Sequence, residues 1–407
     1  MVSCRSCRSE LKLTLIDLGS SPIANNLIPS TQSMEEMSCF PLCAKTCENC
    51  SLVQLSEELP RETLFRSDYV YHSSYSSSWL EHSRSYVTKM VKFLNLSEND
   101  LVVEVASNDG YLLQFFADSK VQVLGIEPAA GVANLAIAKN IPTMIEFFGV
   151  TTAKKLTKNP KPKLIIGNNV LAHVPDLHDF IEGFSILVAD EGIITFEFPH
   201  LLNLLKNNQF DTIYHEHYSY LSVTALLPLM ARYKLKIINV EKLPTHGGSL
   251  RVFIAKNESN WATDRSVQIM LKEEAQYDPR NKKIYESFQK NILNLKSNLV
   301  NELLRGKESK KRIAAYGAAA KGVTLLNYCG IKSDLIDYVV DLNPNKQGNF
   351  LPGCQIPIVG SDTLVTNPPD ILLILAWNLS NEIKSQLLNQ LNGGMKMLRA
   401  IPNVEYF

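Results

Sequence analysis

The densest run of chemically capable side chains is Tyr214-His215-Glu216-His217-Tyr218-Ser219-Tyr220. Two imidazoles flank a carboxylate, with phenols on either side. An imidazole has an ordinary pKa of about 6.5, so it can take a proton at neutral pH; a carboxylate can orient it, and a phenol can donate to developing charge. Ordinary packing asks for none of this, so the two histidines offer a candidate base, with Glu216 to orient it and the tyrosines as donors. A metal on the H-x-H pair is the competing reading, but the other ligands it needs are not evident nearby. Asn168, Asn169 and His173 follow the apolar run KLIIGNN at 163–169. Ligands collect at the carboxyl ends of parallel strands, which brings these three to the same candidate site. In Thr245-His246-Gly247-Gly248, leading into the strand that holds Arg251, the glycines allow close backbone approach, and His246 and Arg251 are candidates to face the same cavity.

A different chemistry stands at the start of the chain. Cys4-x-x-Cys7 and Cys47-x-x-Cys50 are two knuckles 40 residues apart. Each two-residue spacer lets both sulfurs reach one ion, so the four thiolates suit tetrahedral zinc, and four cysteines leave no open position for catalysis. Cys39 and Cys43 compete less well, being spaced by three residues. A redox dithiol and a nucleic-acid-binding ribbon are the alternatives; the segment lacks the basic cluster and stacking aromatics of the latter.

These side chains need elements to hold them. Residues 101–116, LVVEVASNDGYLLQFF, read as a buried strand, a tight turn and a helix. The next apolar run ends in Gly125-Ile126-Glu127-Pro128, so Glu127 lies 23 residues beyond Glu104, at a second strand tip where it could accept ribose hydroxyls. The turn, Ala106-Ser107-Asn108-Asp109-Gly110, has one glycine where a pyrophosphate site needs three, and carries side-chain acceptors instead. That favours a cationic, phosphate-free nucleoside, and S-adenosylmethionine, with its ammonium and sulfonium, fits. Candidate cofactor residues are Glu104, Ala106, Asn108, Asp109, Gly110, Glu127, Pro128, Asn168, Asn169 and, in a loop where an aromatic could cover an adenine, Phe148. Before this block, Asp68-Tyr69-Val70-Tyr71-His72-Ser73-Ser74-Tyr75 is rich in hydrogen-bonding groups, as a ligand lid would be, with Tyr69, Tyr71, Ser73 and Ser74 its candidates. A plain surface loop is the other reading.

From 263 to 306 the chain reads as helical, with Ile284, Phe288, Ile292, Leu295, Leu299 and Leu303 forming one apolar stripe that joins two domains. Residues 312–322, RIAAYGAAAKG, open a second Rossmann-like unit, with Lys321 placed to hold a phosphate or, alternatively, solvated beside a packing turn.

At 407 residues and 45% apolar composition the chain holds two or three domains. Lys plus Arg and Asp plus Glu both total 41, giving no basic field for nucleic acid or a charged membrane surface. No apolar run reaches the roughly 20 residues of a membrane helix, and the first residues lack a signal-peptide core, so the expectation is a cytoplasmic enzyme.

Taken in order, the paired C-x-x-C motifs, E-x-A-S-N-D-G, G-I-E-P, N-N-V-L-A-H-V, Y-H-E-H-Y-S-Y, T-H-G-G-S-L-R and Y-G-A-A-A-K-G resemble the sugar C-methyltransferases that act at C-3' of dTDP-4-keto-deoxysugars. The resemblance covers essentially the whole chain. It implies an α/β protein with a zinc-binding domain at 1–66, a Rossmann-like methyltransferase domain at 67–256 and a Rossmann-like C-terminal domain at 257–407. It further implies structural zinc, S-adenosylmethionine in the middle domain, and a dTDP-linked sugar between the middle and C-terminal domains of a monomer or small homo-oligomer. The family's catalytic histidine, glutamate and tyrosine fall on His217, Glu216 and Tyr214, and the N-N-V-L-A-H histidine on His173. One departure is Ala106, where many nucleoside turns carry glycine. In the implied reaction His217 removes the proton beside the ketone, Glu216 orients the base or sugar hydroxyls, and Tyr214, His173 and Asn169 donate to the enolate oxygen. O- or N-methylation of a nucleotide sugar, or a non-catalytic zinc-ribbon scaffold, are the alternatives.

Overall fold

The computed structural model describes residues 2–30, 37–60, 64, 73–157, 160–388 and 394–407. Tyr69 and Tyr71 lie outside them. The largest sheet has the strand order Leu235–Leu243, Ser249–Lys256, Ile193–Pro199, Leu164–Asn168, Leu101–Val105, Gln122–Ile126, Thr143–Met144. Within it Ser249–Lys256 runs against both neighbours, and the other ladders are parallel. Leu164–Asn168 is buried along its whole length, as a strand with both faces covered must be. Leu101–Val105 lies between its successor Gln122–Ile126 on one side and Leu164–Asn168 on the other. The chain therefore leaves this strand in both directions, and a crevice opens above its carboxyl end.

The turn closing that strand uses three left-handed residues, Ala106 (φ 59°), Asn108 (φ 50°) and Gly110 (φ 76°). At Gly110 a Cβ would also lie 3.2 Å from Ala136 Cβ, in the helix Ala130–Ala138. Ala106 takes the conformation that glycine adopts freely, anchored by its N–H on the Ile126 carbonyl at 2.7 Å. The helix that follows is short, Leu113–Asp118.

A six-stranded sheet repeats the plan: Ile313–Tyr316 sits between Val339–Val340 and Ile371–Ile374, all parallel. The N-terminal sheet pairs Leu13–Pro22 with Cys39–Thr46 and then Val53–Leu55. Its fourth strand is Ser219–Tyr220, the end of Y-H-E-H-Y-S-Y, paired with Val53–Leu55. A further pair, Ile28–Pro29 with Asn349–Phe350, ties the same unit to the C-terminal one.

The helix Lys282–Glu308 buries Phe288, Ile292, Leu295, Leu299 and Leu303 at intervals of three and four. They share one apolar cluster with Leu15 and Leu42 of the N-terminal sheet and Ile313 and Leu373 of the C-terminal sheet. Ile284 is half-buried at its margin. No helix among the described residues is long and apolar enough to cross a membrane.

Candidate active site

A cavity of about 420 Å³ lies where the units meet, within the usual range for small-molecule sites. One wall carries Ala106, Asn108, Glu127, Pro128 and Phe148, with Asn168 and Asn169 at the neighbouring strand end. The facing wall carries His173, Tyr214, Glu216 and His217, and the far end His246 and Lys321. Ser73 also lines it. Glu104, Asp109, Gly110, Ser74 and Arg251 do not.

On the turn side, Glu127 accepts the N–H of Asn108 at 3.0 Å and that of Ala129 at 2.9 Å. Its two oxygens brace the turn, and each keeps a lone pair for a hydroxyl. Burial raises its pKa. Asn108 and Asp109 also clamp the short turn Ser73–Tyr75: Asn108 Oδ1 accepts the Ser73 N–H at 2.9 Å and Asp109 Oδ2 that of Ser74 at 3.3 Å. Asp109 is thus a buried anchor behind the cavity wall. Glu104 is fully buried beneath the turn, where burial outweighs the neighbouring Tyr111 hydroxyl and holds its pKa well above the ordinary range. The side-chain oxygens of Asn168 and Asn169, which line the cavity, meet no donor among the described residues. Acceptors without donors, collected at one strand end, fit a ligand that brings a cation, as S-adenosylmethionine does. Phe148 is fixed by edge contacts with Phe180 and Phe184, at 5.6 and 4.9 Å between ring centroids.

The facing wall defines two imidazole tautomers. His217 Nδ1 is 2.8 Å from the Thr212 carbonyl, which can only accept, so the proton is on Nδ1. Nε2 is then the basic nitrogen, and the Tyr214 hydroxyl donates to it at 2.8 Å. Burial, with His173 nearby, holds the His217 pKa well below its ordinary value, so the ring is neutral. The same reasoning applies to His173, whose Nδ1–H goes to the Glu216 carbonyl at 2.7 Å, while burial lowers its pKa to about 4. A neutral His173 therefore presents an acceptor at Nε2. In that tautomer Nε2 suits receiving a hydroxyl, where the sequence analysis places a donor. The two rings are 4.7 Å apart, edge to face. Glu216 is buried, with its pKa pushed up to about 7. His215 turns away, its Nε2 3.3 Å from the Phe40 and Pro41 carbonyls.

At the far end, His246 (φ 55°) sits in a tight turn that closes on the C-terminal unit. A Cβ on Gly247 would lie 2.4 Å from Trp377. Burial, then Lys321, lowers the His246 pKa to about 4. Lys321 Nζ lies 4.7 Å over the Trp377 ring, whose indole N–H donates to buried Asp211 at 2.6 Å. Burial pushes Asp211 up to about 7. Arg251 is a buried structural cation: its guanidinium bonds Glu197, lies 3.1 Å from His82 and covers the Tyr86 ring. Burial pushes the Glu197 pKa up, but His82 and Arg251 outweigh it and hold it below the ordinary value.

The ligand atoms of Cys4, Cys7, Cys47 and Cys50 all lie within 4.8 Å of one another, with sulfur pairs at 3.5 and 3.4 Å. A zinc tetrahedron with bonds of about 2.3 Å has edges of about 3.8 Å, so the four thiols fit that ion. Between two of them, Arg5 donates to the Leu55 carbonyl at 3.0 Å and the Tyr218 carbonyl at 3.2 Å. The knuckle thereby touches the segment that carries His217.

Asn25, Trp79, Tyr111 and Lys346 are among the cavity residues to which the sequence analysis assigns no role. Trp79, in the first turn of the helix Ser77–Phe93, stacks on Tyr111 at 5.9 Å and lies tilted against His246 at 5.3 Å. None of the four sits in a motif with chemical spacing. Lys346 follows Asn343-Pro344-Asn345, a loop signal without a functional one.

Three family models match successive parts of the chain: "Putative zinc binding domain" over 4–65, "Methyltransferase domain" over 79–240 and "C-methyltransferase C-terminal domain" over 244–402. The last begins before Ser249–Lys256, a strand that lies in the middle sheet. C-methyltransferase NovU of Streptomyces niveus is 34% identical over 401 residues, 98% of this chain and 95% of that protein. Among solved structures, magnesium protoporphyrin IX methyltransferase of Synechocystis PCC 6803 with bound SAH aligns at 15% identity and TM-score 0.35, covering 44% of this chain and 82% of that one. The PH0226 protein of Pyrococcus horikoshii OT3 aligns at 13% identity and TM-score 0.37, covering 46% and 95%. With the whole-length relative and the three successive domains in agreement, the chain belongs to the C-methyltransferase family, as an S-adenosylmethionine-dependent enzyme with an N-terminal zinc-binding domain.

Proposed function

We propose that the enzyme methylates C-3' of a dTDP-linked 4-keto-deoxysugar through an enolate that His217 generates. The observation that carries the reading is the fixed tautomer of His217. Its basic Nε2 belongs to a cavity lined also by the cofactor-side turn and by two lysines. S-adenosylmethionine supplies, when bound, a methyl already activated by sulfonium; Glu127, Asn108, Pro128 and Phe148 would hold its nucleoside, and Asn168 and Asn169 its ammonium.

The remaining work falls to the chain. A ketone at C-4' acidifies the neighbouring C–H. His217 Nε2 takes that proton, and the C–H electrons move onto the ketone oxygen. Tyr214 exchanges its bond to Nε2 for that oxygen, where one donor is worth about 2.7 to 4 kcal/mol. Asn169 is a second donor, and His173 and Glu216 receive sugar hydroxyls. Lys321 and Lys346 hold the diphosphate at the other end. Carbon C-3' is then the nucleophile for the methyl, and much of the rate comes from holding both partners in register. Cosubstrates of this kind are cytoplasmic, which supports that location.

Turnover of dTDP-4-keto-6-deoxyglucose with S-adenosylmethionine labelled by ¹³C in the methyl group tests the reading. The expected product shows the label bonded to C-3' in carbon NMR. A label on C-5', the other carbon beside the ketone, or on oxygen or nitrogen, contradicts it.

A further inference from the structure

The zinc-binding unit sends one side chain into the cavity. Asn25 follows the strand Leu13–Pro22 and precedes Ile28–Pro29, so its loop is pinned on one side to the strand that ends at the second cysteine knuckle and on the other to the C-terminal unit. Its Nδ2 donates to Glu216 Oε2 at 2.5 Å, 191 residues away in sequence. Among the described residues Glu216 Oε1 has no partner, although it is buried in a residue 1% exposed.

This is an asymmetric carboxylate, with one oxygen held by a neighbouring unit and the other unsatisfied beside the proposed base. An orphaned buried acceptor is costly unless a ligand supplies the donor. We propose that Asn25 is a positioning residue of the methyl-transfer reaction: its amide fixes one oxygen of Glu216 so that the other receives a substrate hydroxyl. The inference rests on the role given to Glu216 above. It also gives the zinc-binding unit a part in the active site beyond its own folding.

The side chains facing the Glu216 carboxyl bear on its titration. Among the described residues the carboxyl is held by Asn25 of the zinc-binding unit, while His173 bonds the Glu216 backbone carbonyl and His217 follows it in the chain, both rings neutral by burial. Burial raises the Glu216 pKa, and the Asn25 amide and backbone N–H oppose that rise. A donor to the carboxylate favours the ionised form, so its removal moves the pKa upward.

The test uses the full-length, zinc-loaded enzyme with S-adenosylmethionine and dTDP-4-keto-6-deoxyglucose. Asn25→Ala is expected to lower kcat about tenfold and to move the acid limb of the kcat profile to higher pH. Zinc content and the S-adenosylhomocysteine Kd stay within twofold. Asn25→Asp keeps the shape but loses the donor, and shifts the limb at least as far; it stands in if the alanine variant folds poorly. In a Glu216→Gln background the Asn25 substitution has no further effect on kcat. An unmoved acid limb and unchanged kcat in both Asn25 variants, with Glu216→Gln impaired, overturn the inference and leave the reading of the reaction intact. A fully active Glu216→Gln enzyme overturns the role of Glu216, and the inference with it.

Discussion

Chemistry in this site is decided by which nitrogen carries a proton. Carbonyl acceptors at Thr212 and Glu216 fix His217 and His173 in the same tautomer, each with Nδ1 protonated. The sequence displayed both histidines but gave no sign of these carbonyls, which are backbone groups brought in by the fold. That is why His173 reads as a donor in one dimension and as an acceptor in three. Burial sets the second property. Glu216 has its pKa raised from 4.5 to about 7, so its ionisation opposes folding, and the stability held below pH 4.5 is lost as the pH rises through 7. Glu216→Gln should therefore be more stable than the parent at pH 8, by about 1 to 3 kcal/mol, and about equally stable at pH 5, as read by chemical denaturation. Lys321 was legible as a helix-start lysine, and it lines the cavity beside Trp377 and Asp211. Lys321→Met should weaken dTDP binding at least tenfold by calorimetry, with S-adenosylhomocysteine affinity unchanged.

Strand-scale structure separates what was readable from what was not. The runs at 101–105, 122–126 and 164–168 announced a parallel sheet because each is mostly apolar and β-branched, and the last is buried along its whole length. The strand Ser219–Tyr220 announced nothing: two residues with no alternation join, through Val53–Leu55, a sheet begun at Leu13. Arg251 shows the same limit from the other side. Its place after T-H-G-G suggested a ligand, yet the strand turns it inward to Glu197, a partner on the adjacent strand. Removing one member of such a buried pair strands the other charge. Arg251→Met should cost about 3 to 5 kcal/mol in urea unfolding. The zinc knuckle acts at this scale too, because Arg5 and Val53–Leu55 hold the chain on which His217 rides. Cys47→Ser should lose zinc and raise the amide exchange rate across 213–221, with 164–168 little changed, by hydrogen-exchange mass spectrometry.

Across the molecule, the N-terminal and C-terminal sheets meet around one long helix, and the middle sheet joins them at the cavity. The stripe on Lys282–Glu308 was visible as a period of three and four, but not that a single apolar cluster would take residues from both the first and last units. Leu299 is fully buried in that cluster, so Leu299→Ala should cost about 2 to 5 kcal/mol. Because both units share the cluster, their melting transitions should move together in calorimetry. In the proposed reaction the donated methyl and the keto sugar share this one cavity, with a neutral imidazole as the base. The direct measurement is exchange of the C-3' hydrogen of dTDP-4-keto-6-deoxyglucose with deuterated water, followed by proton NMR with S-adenosylhomocysteine bound. The account predicts fast exchange in the parent enzyme and a loss of about 100-fold or more in His217→Asn; exchange at the parental rate in that variant would contradict it.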